Sequence, residues 1–288
     1  MTMTSFDYSA PFFTTYWLQI ILFGVCFLLG VAFNSKRPYH NRSEDRTGRK
    51  DSTVESCPTP GTSQHDDDAP HIPYSFKAYP GEEMVRRSGC FYGEMNKRRS
   101  VRDICNKQVP LEVIENCIRT AGTSPSGAHM QPWTFAVVSN PDIKLEMRNI
   151  IEDEERINYE KRMSSQWLGD LSKLKLTWSK PYLTEAPYVI VVFKKLYGIS
   201  EDGERQTFYY QEISASIATG FLLAALNNAG LVTVTTTPMN AGPRLRDLLN
   251  RPVSEKVLVL LPVGFPSPDA MVPDLRRKPL GEIMSLLD

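Results

Sequence analysis

No charged side chain falls between Tyr8 and Ser35, no two cysteines form a CxxC pair, and the 288 residues carry a formal net charge of zero. Each absence excludes something. Lys plus Arg and Asp plus Glu both number 33, so no basic excess points to nucleic acid as a partner. The five cysteines (Cys26, Cys57, Cys90, Cys105 and Cys117) make no metal-ligand spacing with the four histidines. Their odd, sparse set suits a reducing compartment better than a disulfide-stapled ectodomain.

What fills the charge-free stretch is apolar: Tyr16 to Phe33 reads YWLQIILFGVCFLLGVAF. A helix needs about 20 such residues to cross a bilayer core. Tyr16 and Trp17 stand near one end, where amphipathic rings favour the interface. A cleaved signal peptide wants a basic first region and a small-residue cleavage site, whereas the only charge ahead of the run is Asp7. Residues 1–33 are therefore expected to form a membrane anchor, its helix spanning about 13–33. Lys36, Arg37, Arg42 and Arg46 follow the run and no Lys or Arg precedes it. The excess of cations on that side predicts a cytoplasmic location for the rest of the chain. Residues 34–70, poor in large apolar side chains and carrying Asp66, Asp67 and Asp68, are expected to be a disordered polar linker.

Compact structure is expected over 71–288. Glu82 to Lys97 places Met84, Val85, Phe91 and Met95 near helical spacing. Pro110 opens a second helix through Leu111, Val113, Ile114, Cys117 and Ile118, ending at Gly122. Asp142 to Met163 is a long charged helical stretch, and Ile213 to Leu226 is apolar on every side, as a buried core helix would be. Thr134–Val138, Tyr188–Phe193, Leu231–Thr237 and Val257–Val263 have strand composition. Helices and strands interleaved in this way predict an α/β or α+β layered domain.

Four segments could carry chemistry, and each also has a plain structural explanation. Arg98, Arg99 and Arg102 flank Ser100 and Val101 at a helix end; guanidiniums suit a phosphate, and cations also suit a helix C-terminus. Pro125-Ser126-Gly127-Ala128-His129 is a tight loop in which Gly127 would let a flat ligand approach the backbone. Thr235, Thr236 and Thr237 close a strand before Pro238, as threonine commonly does, and their hydroxyls could face a ligand. Glu155, Tyr159 and Arg162 share a helix face by spacing, which salt bridges alone would explain. With Lys180, an acid and a phenol could hold both ends of an amino-acid zwitterion.

Taken together, RRSVR at 98–102, PSGAHMQPW at 125–133, INYEKRM at 157–163, TVTTTP at 233–238 and PDLRRKPL at 273–280 resemble the iodotyrosine deiodinases. These are a halogen-removing branch of the flavin-dependent nitroreductase superfamily. The resemblance covers roughly 71–288. It implies an α+β nitroreductase-like fold, with a central mixed or antiparallel sheet flanked by helices, in an intertwined homodimer holding FMN at its interface. It implies FMN contacts from Arg98, Arg99, Ser100, Val101, Arg102 and Arg277, and flavin-ring contacts from Ser126, Gly127, Thr235, Thr236 and Thr237. Thr237 is the candidate for a catalytic hydrogen bond to flavin N5. Substrate binding carries over to Ala128, Glu155, Tyr159 and Lys180: Glu155 for the ammonium, Lys180 for the carboxylate, and the charged helix as a lid. The implied reaction is reductive removal of iodide from 3-iodotyrosine and 3,5-diiodotyrosine, with electrons ultimately from NADPH through a reductase. The implied location is the cell membrane and cytoplasmic vesicle membranes. No metal is expected. A general nitro or quinone reductase, or a tethered protein without catalysis, remains the alternative.

Overall fold

The computed structural model describes residues 71–287, so the expected anchor and linker lie outside the described residues. The chain divides into two units, Met1–Tyr74 and Ser75–Asp288. Of the first, only residues 71–74 are described, as exposed chain without regular structure. Among the described residues no helix is long and apolar enough to cross a membrane.

The second unit runs through α1 (Gly81–Lys97), β1 (Ile104–Cys105), α2 (Leu111–Gly122), β2 (Trp133–Val138), α3 (Pro141–Ile157), α4 (Ser165–Lys173), α5 (Tyr182–Glu185), β3 (Tyr188–Lys195), β4 (Tyr197–Ile199), β5 (Arg205–Thr207), α6 (Gln211–Asn228), β6 (Val232–Thr233), α7 (Gly242–Leu248), β7 (Glu255–Pro266) and α8 (Leu280–Ile283). The main sheet is built on β3, paired antiparallel with β2 on one side and β7 on the other. β6 and β1 pair antiparallel with the C-terminal part of β7, and one parallel bridge joins Ser100 to Thr233. β4 and β5 form a separate hairpin.

β3 explains the layering. Successive side chains of a strand point to opposite faces. Val189, Val191 and Phe193 pack with Met147, Ile150 and Ile151 of α3 and with Leu245 of α7. Ile190 and Val192 pack with Ile114, Cys117 and Ala121 of α2 and with Leu222 and Leu226 of α6. A strand covered on both faces needs an unbroken apolar run, and Val189 to Phe193 supplies it with every residue fully buried. α3 starts where Asn140 accepts from the Asp142 and Ile143 amides and Pro141 fills the first turn.

Three expectations need correcting. The charged helix does not run to Met163: α3 ends at Ile157 and widens into a π-turn over Asn158–Arg162. The strand expected over Leu231–Thr237 is only Val232–Thr233, with a further bridge from Thr236 to Leu260, and the Thr233 carbonyl also accepts from the Val101 amide. α1 forms where expected, yet it buries none of its residues, and Met84, Val85 and Phe91 are exposed. α6 is not covered on every side: Ser214, Ala215, Ala218, Leu222 and Leu226 are buried, while Ile213, Ile217 and Phe221 remain exposed, four residues apart on one face.

Candidate active site

Three segments distant in sequence meet at the end of α1. The Arg277 Nη2 donates to the Arg98 carbonyl at 2.6 Å, and the Arg99 Nη2 donates to the Pro273 carbonyl. Ser100 and Val101 dock on Thr233 through a bridge and a 3.1 Å amide hydrogen bond. Arg98 is half-buried, and its guanidinium is pushed below its ordinary value by burial, then by the charges of Arg277 and Arg99. Among the described residues, no salt bridge involves Arg98, Arg99, Arg102 or Arg277. Beside them a cavity of about 220 Å³ is lined by Arg98, Arg99, Val101 and Thr233. The buried Thr233 Oγ1 has no hydrogen-bond partner. Converging cations that repel one another, with a spare hydroxyl beside them, are the donor set that a phosphate monoester such as that of FMN needs.

The threonine run divides by strand alternation. Thr235 and Thr237 are exposed, while Thr236 is buried and exchanges both backbone hydrogen bonds with Leu260, at 2.9 and 2.8 Å. The Thr236 Oγ1 lies 3.2 Å from the Tyr182 hydroxyl. Burial pushes the Tyr182 phenol up to about 12.

The loop before β2 is strained. Ala128, His129 and Gln131 all hold positive φ, at 49°, 54° and 47°, a region that is costly for residues other than glycine and often found at ligand sites. The Ser126 Oγ accepts from the Gln131 amide at 2.9 Å and so helps to hold the loop closed. Gly127 is closely approached here from a direction the sequence did not disclose. A Cβ on it would stand 3.2 Å from the Tyr209 carbonyl oxygen and 3.3 Å from the Tyr210 ring.

Glu155, Tyr159 and Lys180 come together. The Lys180 Nζ lies 3.5 Å from the Glu155 Oε2 and 5.6 Å from the centre of the Tyr159 ring. Burial lowers the Lys180 ammonium, partly opposed by Glu155. Burial and the Glu155 charge raise the Tyr159 phenol. Behind burial, the Arg102 charge also pulls Tyr159, Tyr182 and Lys180 downward, so its guanidinium lies within electrostatic reach of this cluster. Arg162 is not part of it: its Nη1 donates to the Glu154 Oε2 at 2.9 Å and to the Asn158 Oδ1 at 3.0 Å. The π-turn shifts the helical register that had put Arg162 beside Tyr159.

Two residues of the site escaped the sequence reading. Asn158 is fully buried and its Nδ2 donates to the Glu155 Oε1 at 3.1 Å. Its signal is faint, an uncharged amide inside a charged run. Tyr182, beneath Thr236, follows Lys180-Pro181 with nothing in its spacing to mark it. Among the described residues there is no cluster able to hold a metal ion.

Comparison with known proteins gives the architecture its place. The model of the nitroreductase family matches residues 95–265. The human iodotyrosine deiodinase 1 is 60% identical over 221 residues, 77% of this chain and 76% of that protein. The iodotyrosine deiodinase of Nematostella vectensis is 54% identical over 259 residues, 88% of this chain and 97% of that protein. A crystal structure of an oxidized iodotyrosine deiodinase bound to FMN and 3-iodo-L-tyrosine superposes with a TM-score of 0.59 at 32% identity, over 66% of this chain and 96% of that one. With relatives this similar over most of its length, the chain belongs to the iodotyrosine deiodinases, within the nitroreductase family.

Proposed function

We infer that this chain is an FMN-dependent oxidoreductase that removes iodide from 3-iodotyrosine and 3,5-diiodotyrosine. The observation that carries the reading is the Glu155–Tyr159–Lys180 cluster, with the Arg102 charge within its electrostatic reach. An amino-acid zwitterion is an internal ion pair in reverse order: its ammonium needs a carboxylate and its carboxylate needs an ammonium. Glu155 accepts from the ligand ammonium, Lys180 pairs with the ligand carboxylate, and Tyr159 adds a hydrogen bond. Each exchanges its present partner for a ligand group of the same charge sign, so no charge is left unpaired on binding.

Arg98, Arg99, Ser100, Val101, Arg102 and Arg277 hold FMN at its phosphate and ribityl chain. Ser126, Gly127, Thr235, Thr236 and Thr237 border its ring, Thr236 through its backbone because its side chain faces Tyr182. When bound and reduced, FMN would supply the two electrons that, with one proton, replace C–I by C–H and release iodide. Ala128 borders the substrate, and Thr237 offers a hydroxyl to flavin N5. The segment from Asn158 to Lys180 excludes water as a lid over the substrate ring.

The functional unit is a homodimer. Ile213, Ile217 and Phe221 of α6, Met84, Val85 and Phe91 of α1, and Leu286 and Leu287 at the C-terminal end all lie exposed, apolar side chains that a second copy would cover. The charge-free run from Tyr8 to Ser35 and the cations after it support a single-pass anchor in the cell and vesicle membranes, with the catalytic unit cytoplasmic. NADPH, acting through a reductase, is the ultimate electron source.

The test is direct. The full chain, purified in detergent with FMN and reduced by dithionite, should release iodide from 3-iodotyrosine and lose that activity in Glu155→Gln. Turnover of a nitroarene with no iodide release would show a general reductase instead. Absence of a flavin absorbance band would show neither.

A further inference from the structure

Lys180 sits at the return end of the long excursion that leaves α3 at Asn158, so something must fix its backbone before its ammonium can be aimed. Glu152, one turn ahead of Glu155 on α3, is placed to do so. Its Oε1 accepts from the Lys180 amide at 2.6 Å, from the Ser179 hydroxyl at 3.1 Å and from the Arg148 Nε at 2.8 Å. The Arg148 Nη1 continues to the Thr184 Oγ1 at 3.1 Å, tying in α5. One carboxylate oxygen therefore ties α3, the 179–180 segment and α5 together. Burial alone would raise this carboxyl, yet it stands below its ordinary value because these three donors favour the ion.

We propose that Glu152 is the positioning residue for amino-acid recognition, holding the Lys180 main chain so that its ammonium stands opposite Glu155. The proposal rests on the reading of Glu155 and Lys180 as the zwitterion clamp. Both residues of the clamp then hang from the same helix, Glu155 directly and Lys180 through Glu152. Their separation is set by the helix rather than by the excursion between Asn158 and Ser179. Misplacing a substrate-positioning group by about an ångström can cost about 100-fold in turnover. Glu152 spends its Oε1 on Arg148, Ser179 and the Lys180 amide; it acts through Lys180.

The experiment uses the FMN-loaded full chain and two reducible substrates, 3-iodotyrosine and 2-iodophenol, the second lacking the zwitterion. Glu152→Ala should lower the ratio of kcat/KM for 3-iodotyrosine over that for 2-iodophenol by about tenfold, mainly through KM. Glu152→Gln keeps an oxygen acceptor for the Lys180 amide and should recover most of the ratio. Ser179→Ala, which removes one donor and leaves the acceptor, should shift the ratio slightly in the same direction and guards against a misfolded Glu152→Ala. An equal loss on both substrates in Glu152→Ala, or no recovery in Glu152→Gln, would overturn the proposal. If Lys180→Met also left the ratio unchanged, the clamp reading itself would fall. A Lys180→Met loss with an unaffected Glu152→Ala would remove only the positioning role.

Discussion

The Lys180 ammonium and the Glu155 carboxylate lie 3.5 Å apart, each side chain only 12% exposed. A pair this shielded stands between a surface salt bridge and a buried one. Removing one partner strands the other in a site that water reaches poorly. Lys180→Met should therefore cost about 1–3 kcal/mol of stability, more than a surface pair and less than a fully buried one. Adding Glu155→Gln should restore part of that loss. Urea unfolding of both single variants and the double gives the coupling energy, and a coupling of zero would mean that the two charges do not sense each other.

Binding of iodotyrosine should weaken on the alkaline side earlier than an ordinary lysine would allow. Burial lowers the Lys180 ammonium from its usual value of 10.5. A group whose value is depressed loses its charge at lower pH, and with it the pairing to the ligand carboxylate. The dissociation constant measured against pH should rise as Lys180 titrates below 10.5. Lys180→Arg, charged throughout that range, should remove this alkaline limb even if its affinity at neutral pH is poorer. Persistence of the limb in that variant would assign it to another group.

Acid should weaken the fold through Glu255. This buried carboxylate accepts from Thr134 at 2.7 Å and from Arg251 at 2.8 and 2.9 Å. Burial would raise it, but these partners hold it below its ordinary value of 4.5. A depressed acid adds stability that is present above its unfolded value and lost as pH falls through the folded one. Thermal melting should show the wild type losing stability below about pH 4.5. Glu255→Gln should start lower and lose less over the same window.

How much of this was legible follows the reach of each signal. Tyr188 to Phe193 announced a strand, because composition acts within a few residues, while its burial on both faces is visible only in the fold. The arginines at 98–102 announced cation density, yet only the fold could bring Arg277 from the C-terminal segment to the Arg98 carbonyl. Glu155 and Tyr159 were visible as helix neighbours. Their meeting with Lys180 depends on a π-turn and a return segment that no local pattern encodes. Arg162 was misplaced for the same reason, since one widened turn changes which side chains share a face. The exposed stripe of α6 was hidden because a helix that is apolar all round looks identical whether it is covered by its own chain or left for a partner.

The C-terminal segment should matter for cofactor retention more than its exposure suggests. Arg277 is surface-accessible, yet its guanidinium reaches the Arg98 carbonyl, and its charge adds to the burial that depresses the Arg98 guanidinium. Such an arrangement is unfavourable until an anion arrives, so the cations are held in readiness for a phosphate. Arg277→Ala removes one charge-assisted contact, worth about 1.5–3 kcal/mol, and should weaken FMN binding roughly 10- to 100-fold. Arg277→Lys keeps the charge but not the forked geometry and should fall between. Titration of the apoprotein with FMN, followed by quenching of flavin fluorescence, gives the constants. Repeating it at higher ionic strength should weaken the wild type more than Arg277→Ala, because the variant has one charge fewer to screen. Equal salt dependence of the two proteins would place the phosphate elsewhere and leave Arg277 only as the strap that ties the C-terminal segment to Arg98.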